Sequence, residues 1–134
     1  GGISDYTKAI EINPQYAKAY YNRGNYKSKL KDYYGAIADY TKAIEINPQY
    51  VKAYYNRGNT KVALIDHYGA IADYTKAIEI NPQYAKAYVN RGRSHYFLKN
   101  KWNACEDFKT AVFIGDFSTA EWLNSEGGSW CKDM

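Results

Sequence analysis

The chain has little of what enzymes usually work with. In 134 residues there are two histidines, two cysteines, one methionine and three prolines. His67 and His95 stand in unrelated local contexts, and no Ser/His/Asp or Cys/His set recurs. No glycine-rich phosphate loop is present. Cys105 and Cys131 form no C-x-x-C pair and have no histidine beside them, which argues against a zinc site. The reading is of a chain with no catalytic residues, no cofactor and no metal. Two reduced thiols are the simplest expectation, with Cys105 buried and inert on an apolar face; a Cys105–Cys131 disulfide tying down the tail is the alternative. No apolar run approaches the roughly 18 residues that a bilayer span requires. The N-terminus lacks a basic segment followed by an apolar core, so no leader is expected. These absences point to a cytoplasmic chain with no membrane partner. A net charge of +4 is modest for a polyanion binder.

What the chain has is repetition. Residues 17–50 and 51–84 agree at 28 of 34 positions. They differ only at Ala17/Val51, Tyr26/Thr60, Ser28/Val62, Lys29/Ala63, Lys31/Ile65 and Tyr33/His67. A more diverged copy fills residues 85–118, and a half copy fills 1–16. Residues 119–134 form a tail. Such periods mark stacked supersecondary units that bury a core only against their neighbours. About three units are near the minimum for stability, so the expectation is one domain over residues 1–134. Because residue 1 falls mid-repeat, the chain reads as part of a longer one.

Each unit reads as two helices. Ala19, Tyr20, Arg23, Gly24, Tyr26, Lys27 and Leu30 follow a helical period, as do Ala36, Ile37, Tyr40, Ala43, Ile44 and Ile46. Asp32 and Asp66 stand where an N-cap would open the second helix. Asn13-Pro14, Asn47-Pro48 and Asn81-Pro82 separate units, because the residue before proline avoids the helical basin. Gly24, Gly58 and Gly92 lie inside first helices at a cost of about 1 kcal/mol each against alanine. Close approach by Ala36, Ala70 and Ala104 of the paired helix is the expected compensation. Ser118-Thr119-Ala120-Glu121 reads as a capping box that opens a final helix. Ala120, Trp122 and Leu123 would cover the last repeat, Gly127-Gly128 would stop the helix, and residues 129–134 would fray.

These residues resemble the tetratricopeptide repeat (TPR). Its aromatic, glycine, alanine, aromatic, alanine and proline fall at Tyr20, Gly24, Ala36, Tyr40, Ala43 and Pro48. The second unit repeats them as Tyr54, Gly58, Ala70, Tyr74, Ala77 and Pro82. The third gives Tyr88, Gly92, Ala104, Phe108 and Ala111, with Asp116 in place of proline. The resemblance implies an all-α, right-handed solenoid of about eight helices. The near-identical units and the tail are similar to small bacterial, cyanobacterial-type members. Two departures stand out. The family's leucine is Arg23, Arg57 and Arg91, and its first-helix tyrosine is Lys27, Lys61 and His95.

First helices and their exits hold Lys18, Arg23, Lys27, Lys29, Lys31, Lys52, Arg57, Lys61, Lys86, Arg91, Arg93, Lys99 and Lys101. Second helices are mixed, with Asp39 and Asp73 among their acids. Because first helices line the concave face in this family, the resemblance implies a basic groove and a near-neutral outer face. The ligand-facing places it implies are Lys18, Tyr21, Asn22, Asn25, Ser28 and Lys29. The next unit supplies Lys52, Tyr55, Asn56, Asn59, Val62 and Ala63. The third supplies Lys86, Val89, Asn90, Arg93, Tyr96 and Phe97.

Asparagine amides grip a peptide backbone with one donor and one acceptor, lysines attract carboxylates, and tyrosines give apolar walls at low entropic cost. The candidate site is therefore Lys18, Tyr21, Asn22, Asn25, Lys52, Tyr55, Asn56, Asn59, Lys86, Asn90 and Arg93, with Tyr21 and Tyr55 exposed. The partner read from it is a protein or peptide segment, acidic or polar and extended. The set partly resembles the carboxylate clamp of chaperone-adaptor TPR domains, at Asn25, Asn56 and Lys86. Tyr21 and Asn90 replace two of the clamp's cations. Arg23, Arg57 and Arg91 read as structural, with stems between helices and guanidinium groups on carbonyls or acids. Two alternatives stand beside this reading. One is polyanion or RNA binding by a basic, tyrosine-lined groove. The other is homo-oligomer assembly through the open flank of Ile3, Tyr6, Ala9 and Ile10.

Overall fold

The computed structural model describes residues 1–134, all of them in helices or short connections. Eight α-helices follow one another: α1 (Gly2–Ile12), α2 (Ala17–Lys29), α3 (Tyr33–Ile46), α4 (Val51–Ala63), α5 (His67–Ile80), α6 (Ala85–Phe97), α7 (Lys101–Ile114) and α8 (Phe117–Leu123). A 3-10 turn at Ser129–Cys131 closes the chain. Each helix packs on the next, giving an all-α solenoid of antiparallel pairs. No helix is long and apolar enough to cross a membrane.

The caps follow from the sequence. The Asp32 carboxylate accepts from Gly35 N at 3.0 Å, and Asp66 accepts from Gly69 N at 2.9 Å. Asn100 takes the same place in the third unit, accepting from Asn103 N at 3.2 Å. The final helix differs from its expected start. Asp116, not Ser118, is its N-cap, accepting from Thr119 N at 3.0 Å. The reason is local. In the earlier units this linker is Asn-Pro-Gln-Tyr, and proline delays the helix. Here Asp116 replaces the proline, so helix begins two residues earlier, after Gly115 has turned the chain at φ 122°.

The core is built from small residues and a few aromatics, Tyr20 and Tyr40 in the first pair, Tyr54 and Tyr74 in the second and Phe108 in the third. Ala36, Ala43, Ala53, Ala70, Ala77, Ala87, Ala104 and Ala111 are wholly buried, and Tyr40 and Tyr74 are nearly so. The paired helix approaches Gly24, Gly58 and Gly92 closely, as expected, with an aromatic ring nearest. A Cβ on Gly58 would come within 2.8 Å of the Tyr74 ring, and Gly24 and Gly92 face Tyr40 and Phe108 in the same way. The nearest atoms opposite Gly24 and Gly58 are thus those of an aromatic ring on the paired helix. At Gly92 the Ala104 carbonyl is also close, at 3.1 Å. Tyr26 and Leu30 also depart from the expected first-helix stripe, since both are exposed. Leu30 serves instead as the C-cap of α2.

The turn from first to second helix places a non-glycine residue in the left-handed region in every unit. These are Lys31 (φ 64°), Ile65 (φ 60°) and Lys99 (φ 63°). A β-branched side chain suffers most there, and Ile65 is 75% exposed, so it gains little from burial. Ile65→Gly should therefore raise stability by about 1 kcal/mol. In thermal melts this corresponds to a rise of roughly 3–5 °C. A lowered melting temperature would show that the isoleucine contributes packing outweighing its strain.

The tail does not fray. Cys131 is bonded to Cys105 of α7, their Cα atoms 5.5 Å apart, and both are fully buried. This replaces the expected pair of reduced thiols. Residues 129–134 are docked on α7 as a result, with the Lys109 amine on the Met134 carbonyl. Trp130 donates from Nε1 to Gly127 O at 2.9 Å.

Candidate functional site

Two side-chain ladders run along the solenoid, one element per repeat. The first is ionic. Arg57 of α4 forks onto Asp73 of α5, Nε to Oδ2 at 2.9 Å and Nη2 to Oδ1 at 2.7 Å. Lys61 approaches the same carboxylate at 3.0 Å. The third guanidinium nitrogen reaches Thr41 of the preceding unit, at 3.1 Å. Arg23 does the same with Asp39, Lys27 and Thr7, and Arg91 with Asp107 and Thr75. Each arginine also lies over a tyrosine of its own helix, 5.6–5.7 Å from the ring centroid. Hydrogen bonds donated to Asp39 and Asp107 hold Arg23 and Arg91 above the ordinary guanidinium range.

In the third rung His95 replaces the lysine, 3.9 Å from Asp107. Burial pulls its pKa below the usual imidazole value, although Asp107 pulls the other way.

This ladder accounts for both departures from the repeat pattern. Leucine and tyrosine are exchanged for arginine and lysine because a buried aspartate stands opposite, at 3–5% exposure. It also corrects the charge map. Asp39 and Asp73 do not decorate an outer face. Arg23, Lys27, Arg57, Lys61 and Arg91 are committed to buried carboxylates rather than to the groove. The groove's free cations are fewer than composition suggests: Lys18, Lys29, Lys52 and Lys86 are exposed, as is Arg93.

The second ladder is neutral and lies between successive first helices. Asn25 Oδ1 accepts from Tyr40 Oη at 2.6 Å and from Asn56 Nδ2 at 3.0 Å. Asn56 Nδ2 also donates to Tyr21 Oη at 3.0 Å. The next pair repeats this. Asn59 Oδ1 accepts from Tyr74 and from Asn90 Nδ2, which also donates to Tyr55 Oη at 2.9 Å. Burial pushes the Tyr40 and Tyr74 phenols well above their ordinary pKa, so both stay protonated and donate. Burial also pushes Tyr50 and Tyr84, beside this ladder, up to about 12.

Six of the eleven candidate residues thus meet in two equivalent clusters, Tyr21, Asn25 and Asn56 in one and Tyr55, Asn59 and Asn90 in the next. Tyr21 and Tyr55 are half-buried rather than exposed. Tyr21 lies against Tyr40 and Tyr50, and Tyr55 against Tyr74 and Tyr84, the closer centroids 4.9 Å apart. Lys18, Lys52 and Lys86 stand apart on the solvent side, and Asn22 joins neither ladder. Arg93 touches the second cluster, Nη1 lying 3.4 Å from Asn90 Oδ1.

These bonds decide which amide atoms remain available. Both N–H groups of Asn56 are used, leaving its Oδ1. The Oδ1 of Asn25 and of Asn59 is used, leaving their N–H groups. No asparagine of the ladder therefore offers a donor–acceptor pair by itself. The pair is made across a repeat boundary, with the donor from Asn25 and the acceptor from Asn56. Beneath it a cleft of about 370 Å³ is lined by Asn25, Ser28, Lys29, Asn56, Asn59 and Thr60. Farther on, Asn59 and Arg93 are both donors, so the groove grows donor-rich toward α8. No three His, Cys, Asp or Glu side chains converge into a metal-binding group.

Tetratricopeptide repeat models match residues 17–50 and 39–66, and a TPR repeat model matches residues 66–99. The chain belongs to the tetratricopeptide repeat family, whose solenoids are typically non-enzymatic protein-interaction scaffolds. Solved structures agree with this fold. A crystal structure of MamA superposes with a TM-score of 0.83 at 27% identity, covering 88% of this chain and 69% of that one. The first TPR of Spaghetti (RPAP3), bound to the HSP90 peptide SRMEEVD, superposes at 0.76 and 27% identity, covering 81% and 88%. The second TPR of the same protein, bound to the same peptide, gives 0.72 and 29%, covering 79% and 98%. No curated protein sequence matches the chain.

Proposed function

We propose that the concave face holds an extended, acidic or polar peptide segment of a partner protein. The observation that carries this reading is the split amide pair. Asn25 presents N–H groups and Asn56 presents a carbonyl oxygen, side by side along the groove. Together they match the carbonyl and N–H of a peptide backbone. The hydroxyls of Tyr40 and Tyr21 hold the amides in that sense before any ligand arrives, which lowers the ordering cost of binding. Lys18, Lys52 and Lys86 have no carboxylate partner and flank the ladder, supplying long-range attraction for acidic residues. The heptapeptide bound by the two RPAP3 domains is acidic, consistent with this choice.

The test is a fluorescence-anisotropy titration with labelled SRMEEVD as probe, and its Gln/Asn counterpart as control. The acidic peptide should bind more tightly than the neutral one, and the gap should narrow as salt rises. Lys52→Ala/Lys86→Ala should weaken binding about fivefold or more while moving stability by less than about 0.5 kcal/mol. Equal binding of both peptides, or tighter binding of a single-stranded oligo(U) probe, would overturn the reading.

A further inference from the structure

The third unit departs from its siblings at the places facing the groove. Where the first two units carry Ser28-Lys29 and Val62-Ala63, the third carries Tyr96-Phe97. Where they carry Asn25 and Asn59, it carries Arg93. All three substitutions border one cavity of about 440 Å³, between α6, α7, α8 and the tail. Phe108 forms its floor, with Trp122 and Trp130 opposite Tyr96 and Phe97. The rings brace one another: Trp122 meets Phe108 edge-on at 5.0 Å and Trp130 at 6.1 Å, and Trp130 lies 5.3 Å from Tyr96. His67 stacks on Phe97 at 5.0 Å and bonds Ser94, so that wall is also supported.

The rings are nonetheless open to solvent. Phe97 is 66% exposed, Tyr96 45% and Trp122 37%. The cavity's volume falls in the range of built ligand sites, and its walls are mainly apolar. Its charge is informative. No carboxylate lines it, Arg93 is its one charged wall, and Lys101 lies over the Trp130 ring at 5.5 Å. An aromatic cage for an ammonium group would not carry a guanidinium on its rim. The arrangement suits an apolar group with a negative neighbour.

We propose that this cavity takes the apolar side chain of a partner residue whose adjoining carboxylate is held by Arg93. The proposal rests on the peptide-groove reading and gives the groove a specificity-determining end.

The experiment uses two peptides of equal charge, Ac-Glu-Glu-Phe-Asp and Ac-Glu-Glu-Ser-Asp, together with 3-phenylpropionate followed by tryptophan fluorescence. The phenylalanine peptide should bind at least tenfold more tightly than the serine peptide. Phe97→Ala should abolish that preference, and Arg93→Gln should weaken phenylpropionate at least fivefold. Phe97 is largely exposed, so its removal should leave the fold intact by circular dichroism. Lys52→Ala should weaken both peptides alike and leave their ratio unchanged. Peptide binding with no phenylalanine preference would overturn the cavity proposal and leave the groove standing. Saturable phenylpropionate binding with no peptide binding would do the reverse. A preference that survives Phe97→Ala would also overturn the proposal.

Discussion

Asp73→Ala should be among the most damaging single substitutions in the chain. It removes the carboxylate that Arg57 and Lys61 share and strands two cations at a site where Asp73 itself is 3% exposed. Breaking a buried pair from one side costs about 3–5 kcal/mol, because the remaining charge is left desolvated. Arg57 and Lys61 retain 17% and 22% side-chain exposure, so partial hydration places the expected loss near the lower figure. Urea unfolding followed by circular dichroism would read it directly.

Asp73→Asn should recover only part of the loss, since one amide oxygen cannot accept the whole fork. The triple change Arg57→Leu/Lys61→Tyr/Asp73→Ala returns the family's apolar residues to the rung. It should be near neutral, because the pair's Coulomb gain and its desolvation cost largely cancel. A loss below about 1 kcal/mol for Asp73→Ala alone would mean the rung is solvated and lies outside the core.

The second large effect should come from the Cys105–Cys131 bond. It closes a loop across a sequence separation of 26. Loop-closure entropy for that length corresponds to about 3.5 kcal/mol. The loss should fall on the C-terminal end, where α8 and the 3-10 turn cover α7. Cys131→Ser, or the native chain with a phosphine reductant, should lower the urea midpoint and expose Trp130, read as a red shift in emission. The intact protein should block neither cysteine with a thiol reagent until it is reduced and unfolded. Two freely alkylated thiols in the untreated folded protein would show the expectation to be wrong.

The helices, their N-caps at Asp32 and Asp66 and the alanine–tyrosine core were legible because each depends on spacing within one helix or one 34-residue copy. The ionic ladder was half legible. Arginine recurs where the family has leucine, and a structural role follows from that. Its partners lie 16 residues away in both directions, Thr41 before Arg57 and Asp73 after it. That symmetric spacing recurs in all three units and is the signal that identifies the rung. The asparagine ladder spans separations of 31 and 35 residues, so no single-helix period reveals it. The residues were legible as groove-facing, but their division into outward donors and outward acceptors was not. That division is set by the buried phenols of Tyr40 and Tyr74. The cysteine bond left no periodic trace, because neither cysteine has a counterpart in another unit.

Arg57 joins α4 to α5 and, through Thr41, to α3, while Asn56 joins α4 to α2. Both boundaries between full copies are thus crossed by each ladder, since Arg91–Thr75 and Asn90–Asn59 repeat the pattern. Opening one boundary alone would break the arginine–threonine hydrogen bond and the asparagine contacts together, with little intrinsic helix stability gained in return. In nearest-neighbour terms, the coupling between units outweighs the stability of each unit. Amide hydrogens of α3, α4 and α5 should then exchange at one common rate rather than in a gradient from the ends. Inserting a further copy of residues 51–84 should raise stability by nearly the same increment each time.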